Sequence, residues 1–136
     1  MQTRSGFPWW LYAIVILGSL LMASGGVIAL VNPAMLVAPG AQITDAVRVY
    51  AGYLVARNLT LAVMLLVVLA LRVRGALGTL MVLTAFIQLF DAVLDITEGR
   101  FPLVPGVLVF AVAFFFGASR VSGHPFWNAA AWREGV

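Results

Sequence analysis

Cysteine is absent from all 136 residues, which excludes disulfides, thiolate nucleophiles, Cys-based zinc sites and iron–sulfur clusters. Lysine is absent as well, so every basic side chain is Arg. Charge of either sign is scarce: 10% of the chain is charged and 63% hydrophobic, which places it outside the soluble class and in the membrane class. The net charge of +3 comes without any basic run that could track a nucleic acid backbone, and the arginines stand beside apolar segments, where they set topology. Histidine occurs once, as His124. Metal ligands come in groups, so no metal site is expected, and no motif calls for a cofactor.

What the chain does have is long apolar runs. A helix needs about 20 such residues to cross the ~30 Å hydrocarbon layer. Trp9 to Val31 carries no charge and outlasts the apolar region of a secretory signal peptide, so it is read as a retained first span. Asn32-Pro33 ends it, and an apolar connection with Pro33, Pro39 and Gly40 follows. Thr44 or Asp45 can cap a second helix, which the charged turn Arg72-Val73-Arg74-Gly75 separates from a third. Gly99 stands just past the end of that third helix, and Pro102 and Pro105 open the fourth run. The expectation is a single all-α domain, an up-down-up-down four-helix membrane bundle. Its spans are near 9–31, 46–71, 76–97 and 104–119, with an interfacial aromatic tail over 120–136.

Orientation follows from counting Arg by side. Arg4, Arg72, Arg74, Arg120 and Arg133 fall on one side; Arg48 and Arg100 fall on the other, with Asp45 and Glu98. The excess predicts a multi-pass protein of the cell (inner) membrane with both termini cytoplasmic.

The informative residues are the polar ones inside the spans. On helix two, Tyr50, Tyr53, Arg57 and Thr60 recur at three- and four-residue intervals and so share a face; Thr84, Gln88, Asp91 and Asp95 do the same on helix three. Across a tight turn near residue 73, residue i lies level with about 145 minus i. Tyr50 then meets Asp95, Tyr53 meets Asp91, Arg57 meets Gln88 and Thr60 meets Thr84. The stripes are therefore expected to face each other across a polar seam.

Arg57 lies near the bilayer middle, where an unpaired Arg costs about 2.5–3.5 kcal/mol or more. Asp91 is its expected partner, with Gln88 and Asn58 as further contacts. Asp95 is then not needed to balance Arg57, and its replacement by Asn should cost little stability. Asp91 and Asp95, four apart with Arg57, make an Asp–Arg–Asp set able to do acid–base chemistry, while Tyr50, Tyr53, Arg57, Asn58, Gln88, Asp91 and Asp95 are candidate ligand contacts. Glu98 extends the acidic series, but a second acidic cluster to hold Mg²⁺ for a phosphorylated lipid is lacking. Gly52-x-x-x-Ala56 and Ala113-x-x-x-Gly117 let helices approach closely, within the bundle or in a homodimer.

With Asn32-Pro33, Tyr50, Arg57-Asn58, Arg72, Arg74-Gly75-Ala76-Leu77-Gly78, Asp91, Asp95 and Gly99-Arg100 in view, the chain resembles small bacterial four-helix DoxX-like membrane proteins, a group that includes domains of unknown function. The likeness covers about residues 10–120. In those relatives an Arg-Asp pair tends to stand where this chain has Arg57-Asn58. The resemblance implies the four-helix architecture and no particular activity. Three functions fit the residues: binding of a membrane lipid or other lipophilic small molecule at the seam; an acid–base isomerase, cyclase or epoxide-opening enzyme; and a structural or accessory subunit.

Overall fold

The computed structural model describes residues 6–133, less the side chains of Trp132 and Arg133. Arg4 and Glu134, and the side chain of Arg133, thus lie outside the described residues. Four long helices make up the fold: α1 (Trp9–Val31), α2 (Asp45–Ala70), α3 (Arg74–Thr97) and α4 (Val104–Ser122), with a last turn, α5 (Ala130–Arg133). No strand occurs among the described residues. Each of the four is long and apolar enough to cross a membrane. Helices suit that solvent because every backbone N–H and C=O in them is satisfied internally.

The helix ends follow local chemistry. Asn32 caps α1 before Pro33, which opens a 3₁₀ turn to Leu36. The Thr44 hydroxyl accepts from the Val47 N–H at the start of α2. At the end of α2, Arg72 takes a left-handed φ of 56°, and the Val73 N–H folds back to the Val68 carbonyl at 3.1 Å. Gly99, with φ 72°, does the same for α3: the Arg100 N–H reaches the Asp95 carbonyl at 2.7 Å. The fourth helix runs to Ser122, three residues past its expected end, and stops at Gly123 with φ 73°. Arg120 lies within it, with its guanidinium over the Phe116 ring, 4.9 Å from the centroid.

Along the bundle, α1 packs closely on α2 and α3 on α4, while the two hairpins touch each other less extensively. Small residues explain the close pairs. Gly26 sits against the backbone of Val55 and the side chain of Asn58, and Ala29, Ala51, Ala92 and Ala111 are buried.

The large core residues collect at the end of the bundle that carries the termini. Leu11 and Val15 of α1, Leu65 of α2, Leu77 and Met81 of α3, and Phe114 of α4 are all buried in one cluster. In the same half, Trp10 packs on Phe116, and Phe126 of the tail stacks on Phe115 with centroids 4.4 Å apart. The other half, which carries the α1–α2 and α3–α4 connections, buries mainly alanine and glycine. Close hairpins with small side chains leave space between them there.

Candidate functional site

That space is a cavity of about 390 Å³ in the connection half. Its apolar wall comes from α1 and α4: Gly18, Leu21, Met22 and Gly25 on one, Val107, Phe110 and Phe114 on the other. Its polar wall is Asn58 of α2 with Gln88, Asp91 and Asp95 of α3. At the bottom, the Phe114 ring lies against Gly18, where a Cβ would come 2.5 Å from the ring. Nearer the connections nothing lies within 4 Å of a Cβ built on Gly25 or Gly106, and Leu21 and Leu103 are exposed, so α1 and α4 stand apart beside the cavity.

Arg57 and Asp91 meet as the sequence predicts. Nη1 donates to Oδ1 at 3.3 Å and Nη2 to Oδ2 at 2.9 Å, and Nε donates to the Asn58 Oδ1 at 3.3 Å. The geometry follows from helix direction. Twelve residues into α2, or about 18 Å at 1.5 Å per residue, Arg57 is level with Gln88. Helical side chains lean toward their own N-terminus, so Arg57 leans toward the connections and Asp91, on the antiparallel helix, leans back toward it. The two meet about one turn from level. The fork of two parallel hydrogen bonds suits guanidinium and carboxylate.

Asp95 has a partner that periodicity along the spans does not reveal. Arg100 Nη2 stands 2.9 Å from its Oδ1, and Nη1 donates to the Leu36 carbonyl at 3.2 Å. Asp95 is buried, and the Arg100 Nε is buried with no hydrogen-bond partner among the described residues. The signal was present in Asp95-x-x-x-Gly99-Arg100: a left-handed Gly after a helix folds the next residue back onto the last turn, which brings Arg100 beside Asp95. The same guanidinium ties the α3–α4 connection to the α1–α2 connection.

The two stripes do not behave alike. On α3, Thr84 is buried and donates to the Leu80 carbonyl at 2.8 Å, and Gln88, Asp91 and Asp95 all face the cavity. On α2, Tyr50 and Thr60 are exposed and Tyr53 is 74% exposed. Neither tyrosine lines the cavity. The inward face of α2 is instead the neighbouring one, where Ala51, Ala62 and Leu65 are buried and Val55 and Asn58 lie against Gly26 of α1; Arg57 reaches Asp91 from its edge. The expected pairing of Thr60 with Thr84 and of the tyrosines with the aspartates is replaced by contact of α2 with α1.

Glu98 is exposed, and no three His, Asp or Glu side chains converge among the described residues. Gly117 packs against Met81 and Leu11 inside the bundle, whereas a Cβ on Gly52 would meet nothing. A second cavity of about 190 Å³ lies at the opposite end, between Gly75 and Gly78 of α3, Ala118 of α4 and Phe126 of the tail.

Fold and site define the chain as a small multi-pass integral membrane protein, a four-helix bundle with a cavity between its two hairpins. No family model, curated protein or solved structure matches it.

Proposed function

We propose that this protein binds a lipophilic small molecule in the cavity between its hairpins, in the membrane half that carries the two connections. The carrying observation is the cavity's two-sided lining, with carboxamide and carboxylate groups on α2 and α3 facing aliphatic and aromatic side chains on α1 and α4. Its volume, about 390 Å³, suits a small molecule, for which pockets run ~300–1,000 Å³. A purely structural role for Arg57 and Asp91 would favour a closed, dry seam. Binding is preferred to acid–base catalysis because both aspartates are engaged by guanidinium groups.

The proposal includes placement in the cell inner membrane with both termini cytoplasmic, and membership of the DoxX-like group. The cavity then opens toward the outer half of the bilayer. Native mass spectrometry of the protein purified from its own membrane tests the binding reading. A co-purifying small molecule, lost when Gly106→Trp fills the cavity mouth, is the expected result; a bare mass for the wild type from several mild detergents would count against it.

A further inference from the structure

Resting on the binding reading, we infer that the ligand's head is electrically neutral and donates hydrogen bonds, as an alcohol does. Two carboxylates line the cavity, Asp91 and Asp95, and each is held by one guanidinium, from Arg57 and Arg100. Asp45, Arg48 and Glu98 are exposed and outside the lining, so the two carboxylates of the lining and the two guanidinium groups that hold them sum to zero. A charged head would bring an uncompensated charge into a low-dielectric site, which membranes tolerate poorly.

The cationic nitrogens stand behind the wall. Neither Arg57 nor Arg100 lines the cavity, whereas Asp91, Asp95, Asn58 and Gln88 do, so these four are the polar residues open to a ligand. Arg100 uses Oδ1 of Asp95 and leaves Oδ2 without a donor among the described residues. A carboxylate can accept at about four lone-pair sites, and the Arg57 fork occupies only two of those on Asp91. The wall thus offers more acceptors than donors. A hydroxyl or an N–H complements it; an anion meets carboxylate oxygens, and an ether or ester supplies no proton.

The test uses four probes of one chain length: oleyl alcohol, oleyl methyl ether, oleylamine and oleate. Each is added to the protein in dioleoylphosphatidylcholine nanodiscs and binding is read by native mass spectrometry, for the wild type and for Gly106→Trp and Gly25→Leu. These variants place a side chain in the mouth where a Cβ meets no neighbour, and having two guards against one failing to fold. The expected result is that the wild type binds the alcohol at least about tenfold more tightly than the other three, and that the plugged variants lose this preference. If the amine or the acid binds best, or the ether equals the alcohol, while plugging still abolishes binding, the neutral-donor inference falls and the cavity reading stands. Probes that bind wild type and plugged proteins alike would overturn both.

Discussion

The guanidinium of Arg57 holds both carboxylate oxygens of Asp91, at 3.3 and 2.9 Å, across 34 residues of sequence. This fork is the one polar tie between α2 and α3 inside the membrane for which both partners were expected from sequence. The side chains are 36% and 26% exposed, so the pair is neither fully buried nor on a surface in water. Exposed pairs in water contribute about 0–1 kcal/mol, and breaking a buried pair costs about 3–5 kcal/mol. What surrounds this pair is hydrocarbon and a cavity, so the larger range is the better guide.

Arg57→Ala should therefore lower stability by about 3 kcal/mol, measured as thermal unfolding in detergent. Asp91→Asn should do similar harm. The double mutant Arg57→Ala/Asp91→Asn should lose clearly less than the two single losses added, since it leaves no orphaned charge. Simple additivity would mean that the fork contributes nothing.

Asp95→Asn should also destabilise, contrary to the expectation from sequence that it would be tolerated. The substitution removes the charge opposite Arg100, whose Nη2 lies 2.9 Å from Asp95, and leaves a half-buried guanidinium without its counter-charge, which is costly. Gly99→Ala should act on the same contact indirectly, by about 1 kcal/mol, because φ 72° strains any residue with a Cβ. Thermal melts of both variants check this; an unchanged Asp95→Asn melting temperature would show that Arg100 does not need its partner.

Two glycines should respond in opposite directions to the same change. Gly18→Ala drives a methyl group into the fully buried Phe114 ring and should cost about 1–3 kcal/mol. Gly52→Ala adds a methyl where nothing lies within 4 Å and should gain about 0.5–1 kcal/mol through helix propensity. Equal melting temperatures for the two variants would contradict the packing of α1 against α4.

Topology can be tested directly because the chain has no cysteine to remove. Single cysteines at Ala34 and Ala41, and at Glu98, should react with a membrane-impermeant thiol reagent added to intact cells. Cysteines at Arg72 and Ser122 should react only after the membrane is opened. Labelling of residue 72 from outside would invert the orientation and leave the four spans unchanged.

Although α3 starts two residues earlier and α4 ends three residues later than expected, the four spans, most of their ends and the Arg57–Asp91 contact were legible in the sequence alone. Each depends on local chemistry or on one strong constraint: apolar length, Pro and Gly at the ends, and the cost of an unpaired Arg in the membrane. The rotation of α3 was legible too, since its stripe faces inward, but that of α2 was not. A tyrosine or threonine can face lipid at modest cost, so the periodicity of Tyr50, Tyr53 and Thr60 marks a face without saying where it points. Tertiary packing decided that. Gly26 lies against Val55 and Asn58 on one face of α2, the tyrosines stand outward on another, and Arg57 between them reaches Asp91 of α3. The cavity had the same origin, because it lies where two hairpins closely packed by small residues fail to fill the space between them. A volume left by packing has no sequence motif of its own.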